Sequence, residues 1–151
     1  MSEVNLFDVA LTKDEDDAPG YELSYARVAP MLGAEKLGLS VYELAPGQSI
    51  CPYHYETGEE EWLIVLAGEP TLRTPDGERR LRPWDIAFFP AGEEGAHKVT
   101  NTTDTTVRVA MWSNRANPNT SVYPDSGKVG AWPPGKLFRL ADAVEYFDGE
   151  I

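Results

Sequence analysis

Short segments of alternating hydrophobicity, separated by turn residues, are the feature that most limits the fold of this sequence. Residues 37–44 alternate in the manner of a half-buried strand, and Ala45-Pro46-Gly47 ends the segment. Pro75-Asp76-Gly77 is a second strong turn signal. The predicted strands are 37–44, 51–56, 61–67, 71–74, 78–81, 85–89, 96–100 and 106–112. This spacing predicts an all-β sandwich or barrel of the jelly-roll kind.

The two ends of the chain follow this pattern less closely. Residues 5–11 form a short apolar run that predicts a terminal strand. Between residues 114 and 135, Pro, Asn, Gly and Ser predominate, which predicts irregular structure. Only 140–147 has a pattern compatible with a helix. We therefore expect short extensions at both ends of a compact β-structure.

Length and composition limit the organisation and the partners of the chain. With 151 residues, 42% of them hydrophobic, we expect a single domain over 1–151, with a core at about 37–113 and a C-terminal extension over 114–151. The formal net charge of -12 argues against a nucleic-acid partner, whose phosphates require clustered Lys and Arg, and against an anionic membrane surface.

One cysteine, Cys51, excludes an internal disulfide framework. Residues 1–6 lack the features of a signal peptide, and no apolar run reaches membrane-spanning length, so we expect a cytoplasmic protein.

The only two histidines of the chain, His54 and His97, both occur where a metal site could use them. His54 and Glu56 are two residues apart on a predicted strand, so their side chains project from the same face. Glu61 begins the next strand, and His97 begins a later one. Imidazole and carboxylate are ligands that suit Fe, Mn, Ni, Zn or Cu.

The residues around these groups resemble the two motifs of the cupin superfamily, in its small single-domain form. The first motif is matched by Gly47, His54-Tyr55-Glu56, Glu61 and Gly68, and the second by Pro90-Ala91-Gly92, His97 and Asn101. Together the motifs cover 47–101, and the flanking strands extend the match to about 37–112. The resemblance implies an all-β, single-domain cupin (jelly-roll) β-barrel.

Position by position, the resemblance also implies one divalent metal on His54, Glu56, Glu61 and His97. The family's usual second histidine is Glu56 here, so three histidines and one glutamate become two of each. The additional oxygen ligand favours Fe or Mn, with Zn, Ni or Cu as alternatives. Glu56 could instead contact the substrate, act as a catalytic base or point to water. Glu60 also satisfies the alternative spacing of the motif's glutamate and is the reserve ligand.

Two further expectations follow from the predicted barrel. Either Val107, Val109 and Met111 or the alternate residues of that strand face the interior, and the need to fill a small barrel favours the named set. The family usually has glycine at the position of Trp84, and glycine readily adopts a positive φ. A tight turn is therefore in doubt at Trp84.

Three functions are compatible with such a site. The first, which the sequence favours, is a metal-dependent oxidoreductase of the dioxygenase type acting on a small molecule, because four protein ligands leave two positions open on an octahedral ion. The second is metal-dependent isomerase, decarboxylase or lyase chemistry, with Glu56 as general base. The third is a non-catalytic small-molecule-binding protein.

The sequence also suggests a homodimer. Small cupins usually dimerise, and unpaired strand edges need to be covered. We expect residues 114–151 to wrap around the barrel or to cross to a partner subunit.

Overall fold

The computed structural model describes residues 3–151, and antiparallel strands predominate in it. The strands are β1 (Ser24–Arg27), β2 (Leu37–Leu44), β3 (Tyr55–Glu56), β4 (Glu61–Ala67), β5 (Thr71–Thr74), β6 (Gly77–Arg80), β7 (Ile86–Phe89), β8 (Lys98–Thr100), β9 (Val107–Asn114), β10 (Asn119–Tyr123), β11 (Lys128–Trp132) and β12 (Lys136–Arg139). A short helix, α1 (Val28–Met31), follows β1, and single 3-10 turns occupy Glu93–Gly95, Pro124–Ser126 and Leu140–Asp142. The all-β prediction is confirmed. Among the described residues, no helix has the length and apolar character needed to cross a membrane.

The strands form three antiparallel sheets of a jelly-roll barrel. The largest has the order β1-β2-β9-β4-β7, a smaller one has the order β6-β5-β8, and the third has the order β12-β11-β10-β3. β2 pairs with β9 from Leu37↔Asn114 to Leu44↔Val107. β4 lies between β9 and β7, so its backbone is hydrogen-bonded on both sides. Both of its faces are covered, because Leu63 and Val65 pack in the interior cluster while Ile64 and Leu66 pack on the outer one, which explains why β4 is apolar on both faces.

The barrel interior is filled by alternate residues of the predicted strands. Val107 and Val109 of β9 are fully buried and pack in one cluster with Leu63 and Val65 of β4, and Met111 joins the same cluster. The expectation that this set of β9 residues faces the interior is confirmed. The remaining buried members of the cluster include Leu23, Leu44, Leu72, Leu81, Ala87, Phe89 and Val99.

The outer face of the large sheet is covered by the N-terminal segment. Leu6 and Val9 pack against a second cluster that includes Val41 of β2 and Ala110 of β9. The prediction of a strand at 5–11 is wrong, because residues 6–8 form a turn and the rest of the segment is irregular. Its apolar side chains are buried by packing on the sheet, which does not require strand pairing.

The C-terminal segment is more regular than its composition suggests. Where irregular structure is predicted, β10 pairs with β3 and with β11, and β11 pairs with β12. The predicted helix at 140–147 is wrong, since only Leu140–Asp142 forms a 3-10 turn. Strand pairing satisfies the backbone here despite the low strand propensity of Pro, Asn and Gly.

Trp84 forms the tight turn that its side chain was expected to disfavour. Its φ is +74°, in the left-handed region, and its amide donates to the Val65 carbonyl over 2.8 Å. Trp84 is the only non-glycine residue with a positive φ among those described. The turn before β7 is therefore retained at the cost of local backbone strain.

Candidate metal centre

Three of the four predicted ligands meet where two backbone segments run side by side. His54 and His97 form an isolated antiparallel bridge, with backbone hydrogen bonds of 3.1 and 2.8 Å between them. Glu61 is the first residue of β4. One potential ligand atom from each of these three residues lies within 4.8 Å of the others.

The hydrogen bonds of the two imidazole rings determine which nitrogen carries the proton. His97 Nδ1 lies 2.9 Å from the Gly95 carbonyl oxygen, and His54 Nδ1 lies 3.1 Å from the Pro52 carbonyl oxygen. A carbonyl oxygen can only accept, so in each neutral ring Nδ1 donates and Nε2 keeps its lone pair. Both rings therefore present an unprotonated Nε2, which is the form that binds a metal.

The space between these atoms suits a cation. Glu61 Oε2 lies 3.6 Å from His97 Nε2 and 4.0 Å from His54 Nε2. His97 Nε2 is buried and lacks a hydrogen-bond partner among residues 3–151. A buried polar atom without a partner is costly, and a metal ion would satisfy it. These three residues could hold a divalent metal.

The electrostatic surroundings keep the histidines neutral. Burial, reinforced by the neighbouring His54, lowers the pKa of His97 to about 4. Burial also lowers the pKa of His54, although Glu56 opposes this effect. Burial, followed by the charges of Glu56 and Glu59, raises the pKa of Glu61 to about 7. Both imidazoles are neutral near pH 7, so neither forms an ion pair with Glu61. The three residues lie close together as prospective metal ligands.

Glu56, the fourth predicted ligand, lies beside this set but not within it. Its Oε1 is 3.6 Å from His54 Nε2. Asn119 Nδ2 donates to Glu56 Oε2 over 2.7 Å, and Ser121 Oγ lies 2.8 Å from both carboxylate oxygens. Trp132 Nε1 donates to Ser121 Oγ over 2.7 Å, which leaves the single Ser121 proton for Glu56. β10 and β11 thus fix the Glu56 carboxylate in place.

No sequence motif marks the residues that hold Glu56. Asn119 and Ser121 lie in the segment predicted to be irregular, and the pairing Ser121↔Glu56 brings them to the site. Ser and Asn are common in loops, so their identity alone carries no functional signal.

Two other residues singled out in the sequence lie away from the centre. Glu60, the reserve ligand, is exposed, and its backbone amide donates to Asn114 Oδ1. Asn101 is fully buried, and its side-chain amide donates to the carbonyls of Leu44 and Thr105 over 2.9 and 2.8 Å. Asn101 therefore joins loops and does not contact the three-residue set through these bonds.

Close packing holds His97 in its orientation. The Phe89 ring stacks on the His97 imidazole with a centroid separation of 3.7 Å and an interplanar angle of 9°. A Cβ at Gly95 would collide with the Pro90 carbonyl oxygen, so only glycine fits where the chain supplies the carbonyl for His97 Nδ1. The Phe89 ring and the Gly95 carbonyl thus restrict the orientation of the His97 imidazole.

A cavity of about 980 Å³ opens beside the centre and is lined in part by His54 and Glu61. Its basic lining residues are Arg27, Lys98, Arg115 and Lys128, its further acidic ones are Asp14, Asp17, Glu59 and Asp125, and its tyrosines are Tyr21, Tyr25, Tyr42 and Tyr53. Glu56 is not among the lining residues, although its Oε1 lies 3.6 Å from Nε2 of His54, which is one of them. The volume is sufficient for a small-molecule ligand.

Comparison with known proteins agrees with this architecture. The Cupin domain family matches residues 40–113. Among solved structures, a sugar phosphate isomerase of the cupin superfamily from Silicibacter pomeroyi is 22% identical, with a TM-score of 0.83 over 97% of this chain and 98% of that one. Residues 40–113 form a cupin domain.

Two further structures resemble this cupin. A protein provisionally assigned as a sugar phosphate isomerase, from Acidithiobacillus ferrooxidans, is 25% identical, with a TM-score of 0.77 over 84% of this cupin and 82% of its own chain. The polyketide cyclase RemF from Streptomyces resistomycificus is 26% identical, with a TM-score of 0.63 over 79% of this cupin and 83% of its own chain. No curated protein matches the sequence significantly. One fold hosts many reactions, so the reaction must be argued from the residues of this chain.

Proposed function

We propose that this cupin is a metal-dependent isomerase that moves a proton between neighbouring carbons of a small anionic hydroxycarbonyl compound. His54, Glu61 and His97 would hold the metal, and Glu56 would be the base. The observation that carries the proposal is the Glu56 carboxylate, which is fixed 3.6 Å from His54 Nε2 yet lies outside the three-residue ligand set.

The surroundings of Glu56 suit a general base. A base must be held at a fixed position close to the proton that it removes. Asn119 and Ser121 donate to the carboxylate, and its side chain keeps 13% of its surface accessible beside His54, which lines the cavity. A divalent metal on the neighbouring ligands would polarise the substrate carbonyl. Glu56 would take the proton from the hydroxyl-bearing carbon next to that carbonyl and return it to the carbonyl carbon, while the hydroxyl proton would move to the former carbonyl oxygen, so that product and substrate are isomers.

The cavity supplies groups for an anionic, hydroxylated substrate. In an acidic protein, a phosphate or carboxylate requires a local cation. Arg73, a basic residue near the cavity, is already paired with Asp125 over 2.6 Å. Arg27, Lys98, Arg115 and Lys128 remain as cationic lining residues, and four tyrosines offer hydroxyl groups. Two of the similar structures carry the name sugar phosphate isomerase, which supports the same substrate class.

Proton exchange with solvent tests the proposal directly. The protein, loaded with Mn²⁺ or Fe²⁺, is incubated in D₂O with a panel of aldose and ketose phosphates, and deuterium at the carbon next to the carbonyl is followed by NMR. We expect exchange and isomer interconversion with wild type. We expect the Glu56→Gln variant to keep its metal and to lose exchange about a hundredfold or more. Metal-loaded wild type without exchange on any member of the panel would contradict an isomerase.

A dioxygenase-type oxidoreductase is the second candidate. Two histidines and one carboxylate with open positions form the ligand set typical of non-haem Fe(II) oxygenases, and His54, His97 and Glu61 provide that set. Oxygen consumption by the Fe²⁺-loaded protein in the presence of substrate, without deuterium exchange, would favour this candidate over the isomerase.

A further inference from the structure

The last residues of the chain form an exposed, apolar and acidic segment, here called the C-terminal arm (residues 140–151). Its side chains include Tyr146 and Phe147, which are 86% and 76% exposed and pack edge to face on each other. Its backbone is locally ordered, with Asp148 N donating to Glu145 O over 3.0 Å. None of the arm's residues is buried. An ordered segment with exposed aromatic rings indicates a surface that is covered in the assembled protein.

A second apolar surface lies on the barrel and is called the aromatic patch (Trp62, Ile86, Phe88 and Trp112). These residues share the outer face of β7, β4 and β9, where the register pairs Trp62 with Phe88 and with Trp112. The Trp62 ring lies 4.7 Å from that of Phe88 and 6.0 Å from that of Trp112. Ile86 and Phe88 are exposed because the N-terminal segment that covers this face, through Leu6 and Val9, packs elsewhere on it.

The patch lies at one edge of the large sheet. β7 is the last strand of the order β1-β2-β9-β4-β7. Two residues before it, Trp84 is 73% exposed and holds a left-handed backbone conformation that glycine would adopt without strain. An exposed tryptophan retained at a strained position points to a contact outside the subunit.

The charges near the two surfaces are opposite in sign. The arm contains Asp142, Glu145, Asp148 and Glu150 and no Lys, Arg or His, so its formal charge is -4. Just before the patch, Arg79, Arg80 and Arg82 are exposed, and neither Arg79 nor Arg80 forms an ion pair within residues 3–151. Opposite charges around apolar contacts favour one docking orientation over others.

We propose that two copies of this chain form a homodimer in which the C-terminal arm of each copy covers the aromatic patch of the other. The partner that covers the aromatic patch is a second copy of the chain, because every chain carries one arm and one patch. A two-fold axis therefore satisfies both surfaces at once and closes the assembly. Tyr146 and Phe147 pack against Phe88 and Trp62 of the other copy, and the acidic residues of the arm face its arginines. This interface is independent of the proposed reaction.

Variants of the arm and of the patch, made in the full-length protein, test whether two copies exchange their arms. The mass in solution is measured by sedimentation equilibrium. We expect wild type at twice the chain mass of 16.7 kDa. An arm variant, Tyr146→Ser with Phe147→Ser, and a patch variant, Ile86→Ser with Phe88→Ser, should each be monomeric with unchanged circular dichroism. Met31→Ser, which alters an exposed apolar residue elsewhere, should remain dimeric.

Mixing the two monomeric variants separates arm exchange from other dimers. The intact arm of the patch variant can occupy the intact patch of the arm variant, so the mixture should form a heterodimer although neither variant dimerises alone. A wild type that stays at 16.7 kDa would overturn the proposal. Arm variants that still dimerise, or a mixture that stays monomeric, would overturn it equally.

Charge reversal provides a test that leaves the apolar residues intact. Replacing Arg79, Arg80 and Arg82 by Glu should weaken the dimer about tenfold or more. Adding Glu145→Lys, Asp148→Lys and Glu150→Lys should restore much of the loss. The same arginine variant combined with Glu15→Lys and Asp16→Lys, in an exposed loop, should not be restored. Equal restoration by both combinations would contradict direct contact between arm and patch.

Discussion

At the residue scale, the candidate centre depends on which nitrogen of each imidazole carries the proton. The carbonyls of Gly95 and Pro52 each accept from an Nδ1, so the two Nε2 atoms face Glu61 with free lone pairs. Burial lowers the pKa of both histidines, which keeps them in this neutral form. The protein therefore prepares its prospective ligands before any cation binds.

Removing either imidazole should abolish metal uptake. We expect His54→Ala and His97→Ala to fall from one metal per chain to nearly none by elemental analysis, because a set of three ligands cannot lose one without a large loss of affinity. Tyr123→Phe is the matched control, since it keeps the ring that stacks on His54 and removes only the hydroxyl. Full metal stoichiometry in either histidine variant would show that the ligand set is wrong.

The pKa of Glu61 predicts how metal affinity changes with pH. With a pKa of about 7, Glu61 is mostly protonated below neutrality, and the cation must displace that proton. His97, with a pKa of about 4, is neutral over the same range and adds no slope. We expect the Kd for Mn²⁺ to be roughly tenfold weaker at about pH 6 than at about pH 8. Calorimetric titration measures this ratio, and a change of less than about twofold would contradict the role of Glu61.

At the scale of secondary-structure elements, tight turns and strand pairing determine where the site residues lie. The turn after β4 passes so close to β9 that a Cβ at Gly68 would lie 2.8 Å from Val107 Cγ2. The C-terminal strands have a comparable role, because β10 carries the donors that hold Glu56 on β3. Both features link residues that are far apart in the sequence.

The turn at Gly68 should not accept alanine. Gly68→Ala combines a φ of +76° with a collision in the core, so we expect a loss of about 3 kcal/mol in the free energy of unfolding. Gly127→Ala is the control, since its φ is +58° but nothing lies within 4 Å of the added Cβ, and it should cost only about 1 kcal/mol. Urea denaturation measures both values. Equal losses would mean that the contact with Val107 has no energetic effect.

β10 should influence the reaction without influencing metal content. Ser121→Ala removes one donor to Glu56 and leaves the Trp132 indole without its acceptor. If Glu56 is the base, kcat should fall about tenfold or more while KM and metal stoichiometry stay close to wild type. Thr120→Val, which alters a β10 side chain on the face opposite to Ser121, is the control. A loss of metal in Ser121→Ala would instead indicate that Glu56 is a ligand.

At the scale of the whole molecule, the centre joins segments from distant parts of the chain. His54 precedes β3, Glu61 begins β4 and His97 precedes β8. These strands belong to three different sheets, so a cation bound to all three residues would cross-link the barrel. A ligand that binds only the folded state stabilises it by mass action.

Metal addition should therefore raise the melting temperature. At about one hundred times its Kd, a cation contributes about 2.7 kcal/mol, which for a domain of this size corresponds to an increase of roughly 5–10 °C. Differential scanning calorimetry of chelator-treated protein, with and without Mn²⁺, measures the shift. His97→Ala should show none. The absence of a shift with Mn²⁺, Fe²⁺ and Zn²⁺ in wild type would contradict a metal centre.

Much of this arrangement can be predicted from sequence. The bounds of β2, β4 and β5 agree with the predicted segments, since hydrophobic alternation between turn residues is a local property. His54, Glu61 and His97 are also found from their types and spacing. The N-terminal cover and the C-terminal strands are predicted incorrectly, because 5–11 buries its apolar residues without strand pairing, and β10 to β12 depend on pairing partners rather than on propensity.

The sequence by itself determined the strand series and the family motifs and predicted four ligands, His54, Glu56, Glu61 and His97, because each depends on residue types at short spacing. Only the tertiary structure decided that His54, Glu61 and His97 meet, that Glu56 lies beside them, held by Asn119 and Ser121, and that Glu60 is exposed. The physical reason is the sequence separation over which each kind of interaction acts. Side-chain periodicity acts over a few residues, whereas the partners of Glu56 lie 63 and 65 positions further along the chain and are brought to it only by the pairing of β3 with β10.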